Sequence, residues 1–399
     1  MSNVEGQSVI PAIAYIRPEG EDRATMFELF FDLVYVFAVT QLSHRLLDDL
    51  TWRGLGEMLV MLAALYWAWN YTTWMANWFD PDRIAVRLVL VFVMAASLAM
   101  AVAIPSGFEG GGLVFAMSYV ALQVGRNAFV VAVTPPGPFH ENFRQILIWS
   151  LLSAPVWIAG GLAERLRWPI WLAALALDLG APLARYWLPR VGATPMSQWQ
   201  IRGHHFAERF QLFVIIALGE SIVLAGATAV EDELTGPVAL ALGWSFLIST
   251  GLWWLYFDGT SKVVARRLEH SRADEAGTIG RDVYTYLHFP IVAGIVLVAV
   301  GFELAIAHPS EGLVEGGPLV TLGGVALFLL GLVACERRGA ESVNRPLLIV
   351  AVLSLLAVPA VPGLRAWGLL AIVAVVLAVL VGLESRRVDR PSLAWEARS

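Results

Sequence analysis

Long, nearly uninterrupted apolar blocks, parted by short polar or Pro/Gly-containing breaks, run the length of this chain. Leu88 to Ile104 has Ser97 as its single polar residue, Ile291 to Ile306 is broken only by Glu303, and Gly368 to Gly382 has no polar side chain. A surface helix of a soluble protein would instead show an apolar stripe recurring every three to four residues. At 1.5 Å rise per residue, about 20 such residues cross roughly 30 Å of hydrocarbon. Twelve segments qualify, at approximately 25–46, 55–79, 83–104, 112–134, 142–163, 167–188, 205–229, 236–258, 281–307, 317–335, 345–360 and 366–384. The pattern predicts an all-α polytopic membrane protein of about twelve transmembrane helices.

Composition agrees. Of 399 residues, 58% are hydrophobic and 15% charged, whereas a soluble domain carries about 25% charged residues. Charge placement then orients the spans. With alternating loops, 22 of the 27 Lys and Arg residues fall on one side and 5 on the other. Basic loops stay in the cytoplasm, so both termini are expected there. The first residues lack the basic and apolar regions of a signal peptide. The expected layout is a cytoplasmic tail at 1–24, a six-helix half at 25–190, a second at 191–384 and a cytoplasmic tail at 385–399.

The two halves show an internal correspondence. Laying 27–43 over 207–223 matches Glu28 with Glu208, Phe30 with Phe210 and Val34 with Val214. An offset of six helices preserves orientation, so such a duplication would give two parallel six-helix repeats.

Polar residues inside the spans carry whatever chemistry exists, because each ionisable group there costs at least a few kcal/mol. Glu28 and Asp32 stand at i and i+4, on one face of the first helix. The seventh holds His204, His205, Glu208 and Arg209 near its start and Glu220 about three turns on. One reading is structural: acids near helix starts complement the helix dipole, and a fixed acid–Arg/His network staples helices together. The other is functional, with Asp32 and Glu220 as proton or cation sites and Glu28, His205, Glu208 and Arg209 as a gating or relay network. A lone cysteine, Cys335, excludes an intramolecular disulfide and a cysteine metal site. The sole lysine, Lys262, lies in a basic loop, so no buried amine awaits retinal, and the histidines do not match in depth as haem ligands. No catalytic residue, metal, cofactor or nucleic-acid signature emerges; the partners expected are the bilayer and a small ion or solute.

FELFFDLVYVFAVTQLSHRL (27–46), HHFAERFQLFVIIALGESIV (204–223) and LHFPIVAGIVL (287–297) resemble the signature stretches of the bacterial low-temperature-requirement A (LtrA) family. By that resemblance Glu28, Phe31, Asp32, His205, Glu208, Arg209, Gly219 and Glu220 fall on the family's characteristic positions. The resemblance implies a multi-pass protein of the bacterial inner membrane and leaves substrate and reaction open. The leading expectation is a secondary transporter or ion permeation pathway. The alternatives are a non-transporting sensor or assembly factor that binds lipid or a partner protein, and an intramembrane lipid-modifying enzyme.

Overall fold

The structure is a computed structural model that describes residues 15–18, 20, 23–231 and 234–388. Most of the two expected tails, and Asp232 and Glu233 of one loop, lie outside the described residues. Twelve helices run through these residues: α1 (Met26–Asp48), α2 (Trp52–Trp78), α3 (Ile84–Val102), α4 (Gly112–Val133), α5 (Pro138–Leu162), α6 (Arg167–Leu183), α7 (Gly203–Glu231), α8 (Gly236–Glu269), α9 (Ala273–Ala307), α10 (Gly317–Gly339), α11 (Arg345–Ala357) and α12 (Ala366–Val388). No strand is present among them. The expected polytopic all-α architecture is what the chain adopts.

Nine of these helices are long and apolar enough to cross a membrane; α2, α6 and α11 are not among them. α6 and α11 fall short in length, at 17 and 13 residues. α2 is long enough, but Asn70, Thr72, Thr73 and Asn77 dilute its apolar character. It tolerates them because it is wrapped in protein: from Met58 to Trp78 nearly every side chain is buried. By contrast, α3 leaves Leu88, Val91, Phe92 and Leu98 exposed, the face a lipid-contacting helix presents.

The chain divides into two compact units. One takes in the residues up to Phe210 together with Leu268–Tyr286; the other takes in Gln211–Arg267 and the residues from Leu287 on. In the first, α3, α4, α5 and α6 pack consecutively, α1 rests on α2 and α3, and α2 also meets α4 and α6. In the second, α9 and α10 form the most extensive pairing, flanked by α8, α11 and α12. Glycine permits that pairing. A Cβ on Gly294 would lie 2.6 Å from the Phe328 nitrogen and 2.7 Å from the Gly324 oxygen, so the two backbones touch where side chains would stand. Close backbone approach through small residues is how helices associate in lipid, where burial from water gives no drive.

Two helices change register. α8 contains a π-helical segment at Leu255–Thr260, and α9 contains one at Gly280–Leu287 after its first two turns. In the first unit α2 fastens the second of these: the Tyr66 hydroxyl donates to the Tyr284 carbonyl at 2.7 Å, and Trp74 Nε1 donates to Thr285 Oγ1 at 2.9 Å.

Candidate functional site

The first turn of α1 begins the site. Thr25 caps α1 and Glu28, three positions on, closes the capping box, with the Thr25 backbone nitrogen donating to Glu28 Oε2 at 2.8 Å. Glu28 is thereby held at the positive end of the helix dipole, where a carboxylate is favoured. Its Oε2 also accepts from Arg17 Nη2 at 3.0 Å, and its Oε1 faces His205 Nε2 at 2.9 Å.

The Asn77 amide fixes the histidine's tautomer. The Arg202 backbone nitrogen donates to Asn77 Oδ1 at 2.9 Å, and Asn77 Nδ2 donates back to the Arg202 carbonyl at 3.2 Å. Its nitrogen also lies 3.0 Å from His205 Nδ1, which must therefore accept. Nε2 then carries the proton and donates it to Glu28.

One turn deeper, Arg209 of α7 clamps Asp32 of α1 in a fork, Nη1 to Oδ2 at 2.7 Å and Nη2 to Oδ1 at 2.6 Å. Nη1 also donates to the Glu28 carbonyl at 3.1 Å, which ties both levels together. Trp69 Nε1 of α2 donates to Asp32 Oδ1 at 2.8 Å, and its ring lies 5.9 Å from the Arg209 guanidinium carbon. Two carboxylates thus meet two guanidiniums. Asp32, Glu28, His205, Arg209 and Arg17 are each at most 1% exposed. A planar guanidinium suits this buried bidentate geometry.

Of the six residues expected to carry function, the structure brings Glu28, Asp32, His205 and Arg209 into one network. Glu208, half-buried, joins its edge by accepting from the Ala24 backbone nitrogen at 2.7 Å. Glu220 is buried further along α7, in the second unit, where its neighbour Ser221 bonds Ser249 at 3.0 Å. Toward the chain's start, a depression of about 680 Å³ lined by Arg17, Arg23, Thr25, Asp82, His204 and Glu269 lies beside the network.

Sequence reasoning missed Arg17, Trp69 and Asn77 as members. Arg17 read as part of a tail, yet the segment around it pairs with the residues that follow α2: Arg17 N donates to the Trp78 carbonyl at 2.9 Å and Asp80 N to the Tyr15 carbonyl at 2.8 Å. The arginine is thereby carried into the bundle, where Nη2 also reaches the Ala76 carbonyl at 3.1 Å. A signal for Arg17 was its place between apolar Tyr15-Ile16 and Pro18, unlike the acidic residues that follow.

An all-helical membrane bundle with a sealed, charge-balanced network between α1, α2 and α7 defines the class. A profile of the family described as Bacterial low temperature requirement A protein (LtrA) matches residues 23–382, and the chain belongs to that family. An uncharacterized protein of Rhizobium meliloti (strain 1021) is 39% identical over 329 residues, 81% of this chain and 80% of that protein. No solved structure matches the chain.

Proposed function

We propose that this protein is a secondary transporter or ion permeation pathway of the bacterial inner membrane, with both termini cytoplasmic, and that the α1–α7 network is its gate. The observation that carries this reading is the Asp32–Arg209 fork. A buried ion pair seldom stabilises a fold more than apolar residues of the same volume would, and ionisable groups within spans mark ion and substrate paths. Placed where α1 and α7 meet, the fork holds two helices together by bonds that an arriving ion or proton can compete for. The π-helical segments of α8 and α9 support the same reading, since such turns are rare and frequent at functional sites. In this account Asp32 of the first unit and Glu220 of the second are each a proton or cation site, Glu28, His205 and Arg209 exchange partners as the gate opens, and Glu208 fastens the chain leading into α1.

Reconstitution into proteoliposomes tests it. Under an imposed pH or cation gradient the wild type is expected to carry flux above empty vesicles, and Asp32→Asn and Glu220→Gln to abolish it while eluting as folded protein. Wild-type vesicles no leakier than empty ones, or unchanged flux in both variants, would refute the reading.

One observation favours a second reading. The charged groups of the network are almost wholly buried, as expected of a sensor or assembly factor that moves nothing; the absence of flux together with a lipid or protein bound to the purified chain would establish it.

A further inference from the structure

Arg126 and Asp178 are among the charges buried in the first unit outside the network above. Arg126 of α4 is 1% exposed and Asp178 of α6 is 9% exposed. No ion pair holds either among the described residues. Arg126 Nη1 donates instead to the Thr72 hydroxyl at 3.0 Å and the Ala68 carbonyl at 3.2 Å, its guanidinium lies over the Tyr71 ring, and its Nε has no partner. Asp178 Oδ2 accepts from the Tyr119 hydroxyl at 2.7 Å and from Trp157 Nε1 at 2.8 Å.

A neutral bridge joins the two charges. Arg126 Nη2 donates to Gln123 Oε1, Gln123 Nε2 donates to the Tyr119 oxygen at 3.0 Å, and Tyr119 donates to Asp178. Every donor points from the cation toward the acid. A structural staple would set the guanidinium on the carboxylate, because two separated charges in an apolar layer cost more than a pair. This unit keeps them a glutamine and a tyrosine apart.

We infer that Asp178 is an exchangeable proton site of the first unit, held opposite Arg126 by the Gln123–Tyr119 bridge. The step is one proton transfer: an O–H bond of a hydronium ion breaks as one forms on a carboxylate oxygen of Asp178, water leaves, and the unit gains one positive charge. Asp32 and Glu28 each already hold a guanidinium, whereas the charge on Asp178 has none to cancel it. The other groups facing Asp178 are neutral: Ser153 and Trp157 from α5, Tyr119 from α4, Tyr71 from α2, and Tyr186 just beyond α6. Arg126 is linked to Asp178 only through the bridge. The role as the coupling proton's carrier rests on the transport reading, but the site itself does not.

Infrared difference spectroscopy of the full chain in lipid nanodiscs, titrated with pH in H₂O and D₂O, tests the site. A protonated-carboxyl C=O band that grows as pH falls and downshifts in D₂O is expected, and Asp178→Asn should remove it. Asp32→Asn should leave it in place. Tyr119→Phe, a milder change that keeps the ring, should shift both the band frequency and its titration midpoint, the midpoint upward, because a donor to the charged form is lost. A band that survives Asp178→Asn, or a wild type with no such band, would overturn the proposal. A band without measurable flux in the wild type would defeat the transport reading and leave the proton site standing.

Discussion

Arg209 of α7 grips Asp32 of α1 with both terminal nitrogens, at 2.6 and 2.7 Å, across 177 residues of chain. Neither residue touches solvent, so the pair has little water to fall back on when one partner is removed. Breaking a buried pair costs about 3–5 kcal/mol, while replacing both members with apolar residues of similar volume is often neutral. Asp32→Leu alone should therefore lower the thermal unfolding midpoint sharply in detergent. The double variant Asp32→Leu/Arg209→Met should regain most of it. Equal losses in the single and double variants would show that the fork is itself a main source of stability.

Trp69 should matter through one atom. Trp69→Phe keeps a ring against Arg209 but removes the Nε1 donor to Asp32. Hydrogen bonds to charged groups contribute about 1.5–3 kcal/mol, so a loss in that range is expected by thermal or denaturant unfolding. A variant as stable as the wild type would mean that the Arg209 fork alone satisfies Asp32.

The segment before α1 is predicted to be part of the site. Arg17→Met removes one donor to Glu28 while leaving those from Thr25 and His205. The expected cost is about 1.5–3 kcal/mol, read by the same unfolding assay. Indifference to this substitution would detach the segment from the network.

Twelve apolar blocks in the sequence correspond to twelve helices, and in nine of them length and polarity are those a bilayer demands. α2 marks the limit of that signal: enclosed by protein, it keeps Asn70, Thr73 and Asn77 and is less apolar than a span facing lipid. Glu28 and Asp32 were legible as a pair because helical spacing puts i and i+4 on one face. Their partners were not, since nothing local ties Asp32 to Arg209, or Glu28 to Arg17 through a short antiparallel bridge between Ile16 and Phe79. The Arg126–Asp178 bridge was hidden for a related reason: its connectors, Gln123 and Tyr119, are ordinary neutral residues until α4 and α6 are packed together.

The glycine contact between α9 and α10 gives a prediction independent of the site. Gly294→Ala would put a Cβ 2.6 Å from the backbone nitrogen of Phe328, an atom that cannot rotate away. A loss of about 1–3 kcal/mol is expected from such overpacking. Gly382→Ala in α12 meets nothing within 4 Å, and should be neutral or slightly stabilising by about 0.5–1 kcal/mol. Matching effects on the unfolding midpoint would contradict the packing described.

The account stands or falls on whether the α1–α7 ion pair gates movement or only braces the bundle. Flux through proteoliposomes holding the Asp32→Leu/Arg209→Met variant, with its folding verified by the unfolding midpoint, separates the two most directly. Because Asp32 is also a cation site in this account, the variant is expected to fold and its flux to drop to that of empty vesicles, and a folded variant that carries ions at the wild-type rate would contradict it.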